Sequence, residues 1–287
     1  MGNFYSKKVL VFLGILFFLN MVAWSVVFDL SQQKFLEVNF FDVEQGDAIF
    51  IETPQSQQVL IDGGPSSVIL EKLGKEMPFW DREIDLVILT HPEADHLLGL
   101  FDVLKKYKVD NILWTGIIRD TPEYNEWQKL IKEEGSRIYI ADSGEKVLMS
   151  NGISMNVLYP FEKVEGKESE DSNDTSIISR LNFNKTSFLF TGDISKTGEK
   201  EILDKKMDVD SDVLKVSHHG SKNSSSEEFL QEVSPEVAVI SVGKNNSYGH
   251  PASETLENLN KYGIKVLRTD ERGNIKIISD GELLKIE

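Results

Sequence analysis

The segment Thr90-His91-Pro92-Glu93-Ala94-Asp95-His96 constrains this chain more than any other. It sets two histidines and two carboxylates side by side. The apolar run Ile84–Leu89 before it reads as a buried strand, and Leu97–Phe101 after it as the start of an apolar helix face. The cluster therefore falls on a strand-to-helix turn, where a rigid scaffold aims several side chains at one point. Imidazole and carboxylate are the donors that hold divalent metals. The chain has five histidines, so a chance pair flanking two acids is a poor account of the segment. A metal site is expected here.

The N-terminus carries a second strong signal. Lys7 and Lys8 precede the uncharged run Val9–Phe28, about 30 Å long as a helix, the thickness of a hydrocarbon core. Basic residues on its N-terminal side favour an orientation with the remainder outside the cytoplasm. Cleavage after Ala23-Trp24-Ser25 is the alternative to a retained anchor. We expect residues 1–30 to form the membrane segment and 31–287 a single hydrolase-sized domain. Cysteine is absent, which excludes disulfides and thiolate metal sites. The net charge of −16 argues against broad electrostatic capture of nucleic acid, though it allows a local basic groove.

Strands are expected at Phe35–Val43, Ala48–Thr53, Gln57–Asp62, Ile84–Thr90 and Asn111–Trp114, and then in shorter runs up to Asn274–Ile278. They alternate with helices at Val68–Lys75, Leu97–Lys106, Glu123–Glu134, Lys196–Lys205, Ser226–Glu232 and Ser253–Tyr262. The helix at Glu123 has Thr121 as cap and Pro122 in its first turn. Glu162–Ser172 is acidic and reads as a solvated surface insertion without function. This alternation argues for a layered α/β sandwich.

Other strands also end in chemically useful residues. Leu60-Ile61-Asp62-Gly63-Gly64 and Leu189-Phe190-Thr191-Gly192-Asp193 each deliver a carboxylate beside glycine. Val216-Ser217-His218-His219-Gly220-Ser221 presents paired histidines, and Tyr248-Gly249-His250-Pro251 the last one. Together with Gln45-Gly46-Asp47-Ala48 and Asn173–Ser176, these segments resemble the metallo-β-lactamase superfamily, and within it the hydrolase domain of ComEC-type DNA-uptake proteins. The motifs run in family order across about 35–285.

The resemblance implies an αββα sandwich, here preceded by one transmembrane helix, with two divalent metal ions between the sheets. Zinc is the expected ion, with manganese or iron as options for a carboxylate-rich set. By the resemblance, His91 and Glu93 hold the first metal, Asp95 and His96 the second together with one of the paired histidines, His218 in preference to His219, and Asp193 bridges. Asp62 orients the site by accepting a ligand hydrogen bond, with Asp47, Asn173 and Asp174 in supporting positions. His250 faces the substrate, and Asp95 and His219 stand with it among the catalytic candidates. Two features depart from the family pattern. Glu93 stands where the superfamily has histidine and the subgroup aspartate. A further histidine ligand on the strand pair before Asp193 is missing, and Asn173, Asp174 or water would have to stand in for it.

A bridging carboxylate between two cations suits hydrolysis of phosphate esters. The expected protein is a membrane-tethered, extracytoplasmic phosphodiesterase acting on nucleic acid. Lys215, Lys222 and Lys244 beside the histidine loops are the candidate phosphate contacts. Two alternatives stand beside this reading: an esterase of phosphorylated envelope polymers or lipid head groups, and a metal-binding module without turnover.

Overall fold

The computed structural model describes residues 2–31 and 35–287. The chain divides into two compact units, 1–34 and 35–287. The first holds helix α1 (Gly2–Ser31), whose stretch Lys7–Phe28 is long and apolar enough to cross a membrane. The expected boundary after residue 30 falls in the last turn of α1; residues 32–34 lie outside the described residues.

The second unit is built on two sheets. One is formed by β1 (Leu36–Phe40), β2 (Ile49–Glu52), β3 (Gln58–Ile61), β4 (Glu83–Ile88), β5 (Lys108–Trp114) and β6 (Arg137–Ile140). The other is formed by β7 (Lys146–Leu148), β8 (Ser154–Tyr159), β9 (Ile178–Phe183), β10 (Thr186–Phe190), β11 (Val213–Lys215), β12 (Val237–Ile240) and β13 (Lys265–Arg268). The chain then returns to the first sheet as β14 (Ile275–Ser279) and β15 (Leu284–Ile286). The strand orders are β15-β14-β1-β2-β3-β4-β5-β6 and β13-β12-β11-β10-β9-β8-β7. Strands β3 to β6 run parallel, as do β10 to β13.

Side-chain alternation along the strands decides the layering. Ile49 and Ile51 point between the sheets, where they meet Val157, Phe188, Phe190 and Val239. Phe50, between them in sequence, points the other way and packs with Leu97, Leu100 and Trp127. Those residues come from helices α3 (Ala94–Lys106) and α4 (Pro122–Glu134), which with α2 (Val68–Glu76) cover the first sheet. Helices α5 (Lys196–Asp204), α6 (Glu227–Val233) and α7 (Ser253–Lys261) cover the second, where Ile202, Phe229 and Leu259 meet Leu189, Leu214 and Ala238. This is the αββα sandwich expected from the motifs. Helix α4 starts as its sequence indicates: the Thr121 side chain accepts from Tyr124 N at 3.2 Å, Pro122 opens the first turn, and Gly135 closes the helix at φ 75°.

Two segments differ from expectation. Strand β15 was not foreseen. It forms because Asp280 accepts from the amides of Glu282 and Leu283, both at 2.8 Å, which tightens an Asp280-Gly281 turn into a hairpin. The acidic segment 162–172 is not a free insertion. It is pinned to 116–118 by Gly166 N to Gly116 O at 3.0 Å and Ile118 N to Lys167 O at 2.8 Å, which brings Glu170, Asp171 and Ser172 to the functional edge.

That edge is set by one close approach. The turn after β3 lies on the first turn of α3, with Gly63 N bonded to His96 O at 2.8 Å and Gly99 N to Gly64 O at 2.9 Å. A Cβ on Gly99 would overlap the Gly63 carbonyl oxygen. Gly99→Ala should therefore push α3 off the turn. The expected loss is about 1–3 kcal/mol of stability, read as a lower midpoint in chemical denaturation.

Candidate metal centre

Strands β3, β4, β10, β11 and β12 all end at the same edge of the sandwich. The residues that follow them are Asp62, His91 to His96, Asp193, the pair His218 and His219, and the loop from Ser241 to His250. The carboxyl ends of parallel strands are where α/β sheets place their ligands.

Three imidazoles have one ring nitrogen committed and the other left over. His96 Nδ1 lies 2.8 Å from Asp62 Oδ2. Asp62 in turn accepts Thr90 N at 2.8 Å and Thr90 Oγ1 at 2.7 Å. His219 Nδ1 lies 2.9 Å from Ser241 O, an acceptor only, so Nδ1 carries the proton. His91 Nδ1 is shared by Thr90 Oγ1 at 3.0 Å and Ser176 Oγ at 3.3 Å. The Nε2 atoms of His91, His96 and His219 and the Oδ1 of Asp193 are buried without a hydrogen-bond partner. Orphaned buried donors and acceptors call for a ligand.

A divalent ion fits them. His219 Nε2 lies 3.2 Å from Asp95 Oδ2 and 3.3 Å from Asp193 Oδ2, and His96 Nε2 lies 3.4 Å from Asp193 Oδ2. Ligands at tetrahedral corners about 2.0–2.1 Å from zinc stand roughly 3.3 Å apart. Asp95, His96, Asp193 and His219 thus form a nearly complete donor set. His91, His96 and Asp193 form a second group with donor atoms within 4.8 Å. Asp62, His218 and His219 reach these positions with φ of 57°, 50° and 53°, a left-handed backbone that side-chain-bearing residues adopt at a cost of about 1–3 kcal/mol and that clusters at functional sites.

The metal-free electrostatics fit cation binding. Burial alone would strip the proton from His219, but Asp193, Asp95 and Asp47 outweigh it and the imidazole is pushed up to about 10. His96 is likewise held well above its ordinary value against burial, by Asp193, Asp95 and Asp62. Burial, aided by His96, pushes His91 well below. The acids that raise His96 and His219 are the same ones whose negative charge would attract a cation.

The remaining sequence candidates are placed as follows. His218 is partly exposed, with Nε2 3.8 Å from Asp193 Oδ2, so the inner position of the pair belongs to His219. Glu93 lies outside the donor groups: Arg119 Nη2 is 3.1 Å from its Oε1, and Ser172 Oγ donates to the same atom at 2.7 Å. Lys215 is corrected. It is 1% exposed, its Nζ paired with Asp47 and 4.0 Å from Asp193 Oδ1, so it faces the interior and not a polyanion. Its strand alternation hid this, because the last residue of β11 turns inward beneath the site. Lys222 and Lys244 are exposed and do not line the cavity. Asp47 also lies 3.5 Å from His219 Nδ1. Asn173 lines the cavity, whereas Asp174 turns away to accept Ser195 N at 2.9 Å.

The donors open into a cavity of about 390 Å³ bordered by Gln45, Arg119, Asn173, Tyr248 and His250. The His250 ring stacks 5.8 Å from Tyr248, and burial keeps its imidazole below the ordinary range. Arg119 is the one Lys or Arg side chain among the described lining residues. It and Ser172 escaped the sequence reading, since both sit in loops without a motif. Ser176, the last residue of the Asn173–Ser176 segment, supports both His91 and Asp193 N, the latter at 3.0 Å.

Comparison with known proteins agrees with this geometry. The chain is 35% identical over 257 residues to ComE operon protein 3 of Bacillus subtilis, covering 84% of this chain and 32% of that protein. It is 30% identical over 241 residues to competence protein ComA of Neisseria gonorrhoeae, covering 83% and 32%. The chain thus spans about a third of the length of the curated relatives it matches. Among solved structures it shares its fold with Igni18, a metallo hydrolase of Ignicoccus hospitalis, at TM-score 0.56 and 15% identity, over 84% of this chain and 98% of that one. It shares it also with CmlA, a diiron β-hydroxylase of Streptomyces venezuelae, at TM-score 0.52 and 14% identity, over 82% and 53%. Residues 41–244 match the family model for the metallo-beta-lactamase superfamily, and the chain belongs to that superfamily.

Proposed function

We propose that this protein is a membrane-tethered phosphodiesterase with two divalent metal ions, that its hydrolase unit lies outside the cytoplasm, and that its substrate is nucleic acid. The observation that carries the hydrolytic reading is the set of orphaned, mutually close donors on His91, His96, His219 and Asp193, of which His219 and Asp193 line the cavity. The likeness to a competence protein and to a ComE operon protein supports nucleic acid. Lys7 and Lys8 ahead of the apolar stretch support the orientation.

Asp95, His96, Asp193 and His219 would hold one ion; His91 and Asp193, with a residue or water not yet in place, would hold the other. Zinc suits the tetrahedral spacing, and manganese or iron the carboxylates. When bound, the ions supply Lewis acidity and a lowered pKa of water. The chain's own groups do the rest. Asp62 and Ser241 fix the two imidazoles in the tautomer that presents Nε2. Arg119 can contact a phosphoryl oxygen, and His250 can bond a second one or exchange a proton with it.

Asp193→Ala should lose bound metal and hydrolysis of a small chromogenic diester together. Full metal content with unchanged turnover would sink the two-metal reading. His219→Ala should cost more metal affinity than His218→Ala, and His250→Ala should keep the metal while slowing turnover about 10²–10⁴-fold; metal analysis beside kinetics separates the three.

Because the acids around them raise the basicity of His96 and His219, a metal must compete with protons for their Nε2 atoms. Affinity should fall as pH falls, and calorimetry in buffers of different ionisation enthalpy should register proton release. For DNA, one guanidinium in place of three lysines predicts a shallow salt dependence, a log–log slope of about −0.7 to −0.9. A diesterase that neither binds nor cuts DNA under any metal would pass the role to phosphorylated envelope polymers. Reporter fusions at the C-terminus, one active only outside and one only inside, test the orientation.

A further inference from the structure

The end of the sandwich opposite the metal centre is marked by exposed apolar side chains. Phe79 and Trp80 are 80% and 72% exposed and meet edge to face at 4.9 Å in the loop between α2 and β4. Phe35, just ahead of β1, Leu148, ending β7, and Leu283, in the β14–β15 hairpin, are also exposed. Strand direction puts all five at one end. Leu36 pairs with Ser279 where β1 starts and β14 stops, Leu148 pairs with Ser154 where β8 starts, and β4 starts just after Trp80. Contacts between the sheets confirm that these ends coincide: Thr186 Oγ1 lies 2.6 Å from Ser279 Oγ, and Ser150 N donates to Gln57 Oε1 at 2.7 Å.

The chain itself supplies an occupant for this end. Phe35 follows the apolar helix after residues 32–34, a path of at most about 14 Å even when extended. Chain connectivity alone therefore tethers this end of the sandwich, where the second unit begins at Phe35, and not the metal centre, to whatever bilayer holds the apolar stretch. Trp and Phe are the side chains that settle at the bilayer interface. We propose that the Phe35, Phe79, Trp80 and Leu283 end rests on the membrane surface, and that the metal centre faces away from it.

The proposal deepens the functional reading and rests on α1 being a membrane anchor. Strand β4 alone, six residues long, separates the two ends by about 20 Å at roughly 3.3 Å per residue. A headgroup layer is only about 5–8 Å thick. Head groups of the anchoring membrane are thus out of the cavity's reach, whereas an extended soluble phosphodiester is not. This separates a nucleic acid from the lipid substrate considered above.

The full chain in phosphatidylcholine vesicles, with and without brominated acyl chains, provides the test. Trp24→Phe removes the tryptophan in α1, and Trp114 and Trp127 are buried in the core, so Trp80 becomes the reporter. Brominated lipid should quench a component of the emission that disappears in Trp24→Phe/Trp80→Phe, and Phe79→Ser should weaken that quenching while leaving small-diester hydrolysis unchanged. If the protein floats with the vesicles but Trp80 is not quenched, the docking proposal falls and the anchor stands. If the protein does not float, both fall.

Discussion

The Asp62 carboxylate is the contact on which the functional edge depends. It is fully buried, and burial raises its pKa against the opposing pull of His96. It is held by three donors, against the nearby Asp47 carboxylate: Thr90 gives an amide and a hydroxyl, and His96 gives Nδ1. Those three bonds join the end of β3 to the end of β4 and to the first turn of α3. Charge-assisted hydrogen bonds are worth about 1.5–3 kcal/mol each, and an unpaired buried carboxylate costs more than that. Replacing Asp62 would therefore release the ring orientation of His96 and the geometry of the Thr90–His91 turn at once.

The same accounting governs the floor of the site. Asp47 and Asp193 are nearly inaccessible, as are His96 and His219. A buried set of acids cannot persist without countercharge. Lys215 is placed to supply one, since its Nζ lies against Asp47 and near Asp193. The same acids raise the basicity of His96 and His219 against their burial. The acids and imidazoles thus leave the centre electrostatically suited to cations. A lysine there also fixes which side of Asp193 is screened, leaving Oδ2 as the oxygen nearest His96 and His219.

The architecture and the metal cluster could be read from the sequence because both rest on local patterns. Ile84–Leu89 is apolar enough to be only a buried strand, and Thr121-Pro122 opens a helix wherever it occurs before such a pattern. Lys215 was misplaced because a lysine ends an apolar strand with no local sign of its burial; Asp47, its partner, lies far away in sequence. The histidine pair was ambiguous for a related reason. Only the carbonyl of Ser241, contributed by a different strand, decides that His219 points inward. Arg119 and Ser172 were invisible because their role exists only once the 162–172 segment is laid against 116–118.

The two donor groups differ in how much of each set is assembled. Asp95, His96, Asp193 and His219 stand at near-ligating separations before any ion arrives. The His91 side has one imidazole and a share of Asp193, and the residue that the family pattern places there, Glu93, is engaged by Arg119 and Ser172. For Glu93 to join, it must give up at least two charge-assisted bonds, a cost of a few kcal/mol, and leave Arg119 without its carboxylate. An anion at Arg119 would lower that cost, since it offers the guanidinium a replacement partner. Any metal on the His91 side that recruited Glu93 would therefore compete with Arg119 and Ser172 for that carboxylate.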